Sequence, residues 1–161
     1  ITFYNAMIQN ICPGHTQVFN KEVVLELRKN YCDKMIVIDW WIYMLVSAVG
    51  ELTFYRECTV KHRQHGVNSV GYELNFIKKT LKRLKKIRFK EKSLVTLQLE
   101  SFINIYCSKM RSEYSIEALK FLKNRKKLKK RLQYIMSSKS FRYGKFENFA
   151  YKILYLLGKY K

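Results

Sequence analysis

The pattern of apolar and polar positions changes character near Gly71. Before this point, apolar residues occur in short groups of mixed spacing, which predict a mixture of helices and strands. After it, apolar residues recur every three or four positions between lysines, as at Leu74, Ile77 and Leu81. This spacing predicts amphipathic helices. We therefore expect an α/β region at residues 1–71, followed by an all-α, basic helical region at residues 72–161.

The α/β region is predicted to contain three helices and three short strands. The helices are expected at Thr2–Asn10, Lys21–Lys29 and Trp40–Val49, and the strands at Thr16–Phe19, Glu51–Arg56 and Cys58–His62. Asn20 and Asp39 have side chains suited to cap the second and third helices, and Gly50 suits the end of the third. A turn is expected at Pro13-Gly14, because these residues together break regular structure.

The basic region is predicted to contain four helices. One begins near Tyr72, and the others are expected at Leu94–Cys107, Ser115–Leu132 and Tyr143–Leu157. The last has tyrosines and lysines nearby and apolar side chains predicted along one side, namely Phe146, Phe149, Ala150, Ile153, Leu154 and Leu157. Amphipathic helices that combine aromatic and basic residues suit the headgroup layer of an anionic membrane.

Charge strengthens the division of the chain into two regions. The formal net charge is +20, and residues 72–161 carry 25 Lys or Arg against six Glu. An excess of this kind concentrated in one region indicates a polyanionic partner, which is either an anionic membrane surface or a nucleic acid. Because no apolar run reaches the roughly 18 residues that span a bilayer, we expect peripheral rather than integral attachment.

The cysteine spacing favours reduced thiols in a cytoplasmic protein. Cys12, Cys32, Cys58 and Cys107 are widely separated and form no CxxC pair. A disulfide scaffold or a zinc ribbon normally shows closely paired cysteines. A zinc site from Cys58, His62 and His65 has usable spacing, but no fourth ligand is evident.

Three short stretches carry side chains suited to chemistry, and each also has a purely structural interpretation. Asp39, before Trp40 and Trp41, is either a helix cap beside two core rings or a general base beside rings that pack on sugars. His62 to His65 is either a polar strand end or a group of donors for phosphate and metal. The loop from Pro13 to Thr16 is either a simple turn or a substrate-facing loop, since Gly14 permits close backbone approach.

The same stretches, in this order, resemble the second half of bacterial family 2 glycosyltransferases, and most of all the rhamnosyltransferase-like members. The three blocks are PGHTQVFNK (Pro13–Lys21), IDWWIYMLVSAVGELTFY (Ile38–Tyr55) and HRQHGVNSVG (His62–Gly71). Two positions depart from the pattern of the family, which usually has His where Ile38 stands and Cys where His15 stands. Beyond residue 71 the resemblance gives little.

The resemblance implies a GT-A type domain that inverts configuration at the anomeric carbon of a nucleotide sugar. Asp39 falls at the catalytic base of the family. Arg63, Gln64 and His65 fall on the segment that closes over the donor diphosphate, with His65 also a candidate metal ligand. The residues that it places on the acceptor or sugar side are Gly14, His15, Thr16, Trp40, Trp41 and Asn68.

The resemblance further implies a divalent metal, Mg²⁺ or Mn²⁺, and a lipid-linked or glycan acceptor for cell-surface polysaccharide. The DxD metal motif of the family is absent, because the only aspartates are Asp33 and Asp39. We therefore expect the C-terminal portion of a longer enzyme, inactive alone and peripheral on the inner face of the cell membrane. The rival interpretation is a non-enzymatic basic helical module that binds nucleic acid. A third is an oligomerisation arm, with Leu94–Cys107 as the contact.

Overall fold

A computed structural model gives the fold and describes residues 1–60 and 93–161. Within these ranges the chain forms seven α-helices, one 3₁₀ turn (Gly14–Thr16) and no strand. The helices are α1 (Phe3–Ala6), α2 (Lys21–Lys29), α3 (Ile38–Val49), α4 (Leu94–Tyr106), α5 (Ser112–Asn124), α6 (Leu128–Ser137) and α7 (Lys145–Leu156). The prediction of an α/β, GT-A-like fold for the first region is therefore wrong.

The predicted strands fail because they have no partner. Thr16–Phe19 begins inside the 3₁₀ turn, and Val18 is fully exposed. Residues 51–60 form neither helix nor strand, and Phe54 and Tyr55 are exposed. A β-prone segment becomes a strand only where a neighbouring strand supplies hydrogen bonds and side-chain contacts. No segment in the described ranges does so. The end of the third predicted strand and the helix predicted from Tyr72 lie outside the described residues.

Helices were predicted more accurately, because their hydrogen bonds are local. α2 has the predicted bounds, and the Val23 backbone N–H donates to the Asn20 side chain at 3.3 Å, as expected of an N-cap. α4 and α7 each lie within the predicted ranges. The helix predicted at Ser115–Leu132 is instead two helices, α5 and α6.

The break between α5 and α6 occurs at Arg125. Its guanidinium donates to the Leu122 carbonyl in the last turn of α5 and forms an ion pair with Glu100 of α4 at 2.7 Å. Arginine at this position satisfies carbonyls that the end of a helix leaves free. The chain then changes direction, and extended Lys127 precedes α6.

Residues on both sides of the predicted boundary at Gly71 share one core. Phe3 of α1 stacks on Phe102 of α4 at 5.7 Å, and Trp41 of α3 meets Phe102 edge-on at 5.2 Å. Each helix from α4 to α7 packs against the next one, and α1 packs against both α3 and α5. A second group of aromatic rings lies among α5, α6 and α7 and consists of Phe121, Tyr134, Tyr151, Tyr155 and Tyr160.

Buried polar contacts also join the two ends of the chain. Asn5 is fully buried, and its side-chain amide donates to the Phe141 carbonyl at 3.0 Å. The Tyr43 hydroxyl donates to the Asn5 side-chain oxygen at 2.9 Å. Burial raises the pKa of Tyr43, so this hydroxyl stays a neutral donor. At the C-terminus, the Thr96 hydroxyl donates to the Tyr160 carbonyl at 2.9 Å, which holds the end of the chain against α4.

Gly158, in the turn after α7, and Gly144, directly before α7, allow a paired mutational test of stability. Both have positive φ, 85° and 89°, which disfavours any side chain. A Cβ at Gly158 would also approach the Arg131 guanidinium to 2.5 Å, whereas a Cβ at Gly144 would meet nothing within 4 Å. Gly158→Ala is expected to lower the free energy of unfolding by about 2–3 kcal/mol, and Gly144→Ala by about 1 kcal/mol. Urea unfolding would measure both. Equal losses would contradict a specific contact with Arg131.

Candidate functional site

Asp39 lies in the first turn of α3, which begins at Ile38. The helix is capped by extended Val37 without a side-chain hydrogen bond, so the prediction of Asp39 as the N-cap is wrong. A carboxylate in the first turn is still favoured by the partial positive charge at the start of a helix. The position leaves Asp39 half-exposed and directed toward the loop after α1.

The Asp39 carboxylate accepts three hydrogen bonds. One oxygen accepts from the Gly14 backbone N–H at 2.9 Å. The other accepts from the Asn10 side-chain amide at 3.1 Å and from the Trp40 backbone N–H at 2.7 Å. Because a carboxylate has about four lone-pair sites, roughly one acceptor position remains. The loop and the helix therefore hold the carboxylate in a single orientation.

The predicted acceptor-side loop lies directly against this carboxylate. Pro13 to Thr16 forms a tight turn, in which the Thr16 hydroxyl donates to the Pro13 carbonyl at 2.7 Å. A Cβ added at Gly14 would lie 3.5 Å from the Cβ of Asp39. His15 and Thr16 are exposed beside it. The structure thus brings together Asp39 and the Gly14–Thr16 part of the predicted site.

Gln17 connects the Pro13–Thr16 loop to α3 through two hydrogen bonds. Its side-chain amide donates to the Cys12 carbonyl at 2.7 Å and to the Asp39 carbonyl at 2.8 Å. The Asn10 side-chain oxygen accepts from the Cys12 backbone N–H at 3.1 Å, so Asn10 contacts both the loop and the carboxylate. Neither Asn10 nor Gln17 was predicted to be a site residue. In the sequence they are recognisable only as amide side chains on either side of the Pro-Gly turn.

The two tryptophans have different positions. Trp40 is half-buried, and its indole N–H donates to the Ala6 carbonyl at 2.6 Å. Some of the Trp40 surface therefore remains accessible to solvent. Trp41 is fully buried against Phe102 and Tyr106. A ring with no exposed surface offers no face to a sugar, so the structure assigns Trp41 to the core.

Cys12 completes the surroundings of the carboxylate. Burial raises the pKa of its thiol, and the nearby Asp39 charge raises it further. A thiol in this environment stays protonated near neutral pH, which makes it a poor nucleophile. The Asp39 carboxylate, by contrast, keeps about one acceptor position for a further hydrogen bond.

The remaining predicted site residues, Arg63, Gln64, His65 and Asn68, lie outside the described residues. In the ranges that the structure does describe, no three His, Cys, Asp or Glu side chains are grouped as a metal site would require. Among the helices of those ranges, none has the length and apolar character needed to cross a membrane. A shallow depression beside Met35 and Leu94 contains none of the predicted site residues.

Comparison with known proteins gives no match to a family model, a curated protein or a solved structure. The resemblance to family 2 glycosyltransferases therefore rests on the three sequence blocks.

Proposed function

We propose that this chain supplies the acceptor side of an inverting glycosyltransferase, with Asp39 as the catalytic base. The observation that carries the proposal is the contact between the Asp39 carboxylate and the Gly14 backbone N–H at 2.9 Å. These residues belong to two of the three sequence blocks, and the resemblance implies the base at Asp39 and the acceptor side at Gly14. A partly buried carboxylate with a fixed orientation and about one remaining acceptor position supports a role as general base.

In this mechanism Asp39 removes the proton from an acceptor hydroxyl as its oxygen attacks the anomeric carbon of the donor. The new glycosidic bond forms as the bond between the anomeric carbon and the diphosphate oxygen breaks. The proton goes to Asp39, and the nucleoside diphosphate leaves with the electron pair. Attack from the face opposite the leaving group inverts the anomeric centre. The exposed part of Trp40 lies where a sugar ring could pack.

The donor side of the proposal depends on residues beyond the described ranges. Arg63, Gln64 and His65 would hold the diphosphate, and Mg²⁺ or Mn²⁺ would neutralise its charge on departure. The nucleotide-binding portion with its metal ligands would come from another part of a longer protein. The acceptor would be lipid-linked or glycan, and the enzyme would act at the inner face of the cell membrane.

Asp39→Asn is expected to reduce sugar transfer by about a hundredfold or more, since general-base catalysis contributes a factor of this order. The assay would measure nucleoside diphosphate release by the full reading frame that contains these residues. It would use a panel of nucleotide sugars, Mg²⁺ or Mn²⁺, and extracted lipid-linked acceptors. Binding of the active donor, measured by calorimetry, is expected to persist in the variant.

Asp33→Asn is the matched control, because Asp33 is the only other aspartate and is exposed in an ion pair with Lys34 at 2.8 Å. This variant is expected to keep full activity. Circular dichroism would check that both variants fold. Activity retained in Asp39→Asn, or no turnover of any donor by the unaltered protein, would refute the assignment of Asp39.

Nucleic-acid binding remains the second candidate because of one surface feature. Four exposed lysines, Lys126, Lys127, Lys129 and Lys130, are grouped between the end of α5 and the first turn of α6. Such a cluster can neutralise phosphates of a nucleic acid, and binding of that kind weakens steeply with added salt.

A further inference from the structure

α7 has apolar side chains on two opposite faces. Its inner face buries Tyr151, Leu154 and Tyr155 in the core. Its outer face carries a row of apolar residues at spacings of three, four and four. This row, the outer stripe, consists of Phe146, Phe149, Ile153 and Leu157, whose exposed fractions are 76%, 66%, 40% and 51%. At 100° per residue, the stripe lies on the side of the helix opposite Tyr151.

The outer stripe is more than scattered surface hydrophobicity. Single exposed apolar residues are normal on folded proteins. A continuous row that includes two phenylalanines and runs the length of a helix marks a surface that another phase or molecule covers. In the part of the chain that the structure describes, the buried residues of α7 are those of its inner face.

The part of the sequence that carries the outer stripe is strongly basic. Residues 126–161 contain eleven Lys or Arg and one acid, Glu147. Lys145 begins α7 next to Phe146, and Lys152 lies beside Ile153. Lysine stems can lie along an apolar surface while their ammonium groups reach outward to anionic headgroups. Tyr143, also exposed, precedes the helix and adds an amphipathic ring.

Three occupants could cover such a face, and the observations favour one. A second copy would bring two strongly positive surfaces together, which is unfavourable. A nucleic acid would pair with the lysines but would gain nothing from Ile153 and Leu157. An anionic lipid surface satisfies both features, because the apolar stripe enters the boundary of the acyl chains while the lysines contact the headgroups.

We propose that α7 is an in-plane membrane anchor, which inserts the outer stripe into the headgroup layer of an anionic membrane. The anchor does not depend on sugar transfer, since the chain would bind lipid with neither donor nor acceptor present. It specifies which face of that helix makes the contact, where the sequence indicated the last helix and the basic region as a whole.

Vesicle binding by the unaltered chain tests the anchor directly. Sedimentation with phosphatidylcholine vesicles is expected to be weak, and binding is expected to rise strongly when phosphatidylglycerol is included. Added salt should weaken it. Phe149→Trp would report insertion, since tryptophan emission at that site should shift to the blue on binding. Leu119→Trp, at an exposed position of α5, should shift much less.

Two double variants compare the contribution of the outer stripe to vesicle binding with that of exposed apolar residues on α5. Phe146→Ser with Phe149→Ser is expected to reduce vesicle affinity by about tenfold per residue. Ile116→Ser with Leu119→Ser removes exposed apolar residues of α5 and should leave affinity unchanged. Equal losses in the two variants would overturn the proposal. So would binding to RNA or DNA without preference for anionic vesicles, or dimerisation that the serine changes in α7 abolish.

Discussion

Replacing Trp41 with alanine is expected to lower the free energy of unfolding by about 4 kcal/mol. The indole has no exposed surface and packs edge-on against Phe102 at 5.2 Å, with Tyr106 at 6.3 Å. Its removal would leave a cavity between α3 and α4 that the neighbouring rings cannot fill without moving. Urea unfolding followed by far-ultraviolet circular dichroism would measure the loss, because the helical signal does not depend on tryptophan emission.

Trp40→Ala is the matched control, because it removes the same side chain from the adjacent position. Trp40 is half-buried, and its replacement chiefly removes the hydrogen bond from the indole N–H to the Ala6 carbonyl. We expect a loss of about 1–2 kcal/mol. Trp41→Phe should fall in the same range, since most of the ring volume is kept. A loss for Trp40→Ala as large as that for Trp41→Ala would contradict the assignment of Trp41, rather than Trp40, to the core.

Replacing Glu117 with alanine is expected to lower the free energy of unfolding by about 3 kcal/mol. Glu117 is buried, and one of its oxygens accepts from the Tyr134 hydroxyl at 2.8 Å and from the backbone N–H groups of Lys139 and Ser140 at 3.0 and 3.3 Å. Alanine would remove the acceptor of both amides, of which that of Ser140 is buried. These amides lie in the connection between α6 and α7, so that connection should open first.

Glu117→Gln keeps an oxygen acceptor at nearly the same place and is expected to cost about 1 kcal/mol or less. Burial holds the pKa of Tyr134 and Tyr151 well above the usual range, so both hydroxyls remain neutral partners of Ser140. Native-state hydrogen exchange would follow the amides of Lys139 and Ser140. Unchanged protection in Glu117→Ala would contradict a role for the carboxylate in holding this connection.

Much of the helical structure was predictable, because helix formation depends on neighbours in sequence. The spacing of apolar residues located α2, α4 and α7, and Asn20 supplied a recognisable cap. The strands were not predictable in this way. Glu51–Arg56 has the composition of a strand, but a strand needs a remote partner, and sequence pattern does not show whether one exists.

Some of the residues clustered around Asp39 were named from the sequence. The resemblance singled out Asp39 and the loop at Gly14, and the structure brings these two together. It did not reveal Asn10 or Gln17, because amide side chains that fix a loop have no characteristic motif. It also treated Trp40 and Trp41 alike, although only one of the two rings reaches the surface.

The sequence by itself determined where most of the described helices lie and where the positive charge is concentrated, since both follow from residues near one another in the chain. Tertiary structure decided which apolar side chains point inward. On α7, Phe149 and Leu154 were predicted on one apolar side, yet they lie about 140° apart around the helix axis, and Leu154 is buried whereas Phe149 is exposed. Periodicity fixes the angle between two side chains around a helix axis. Which of those angles faces a neighbour depends on how α6 and α7 pack, and that is set by contacts between distant residues.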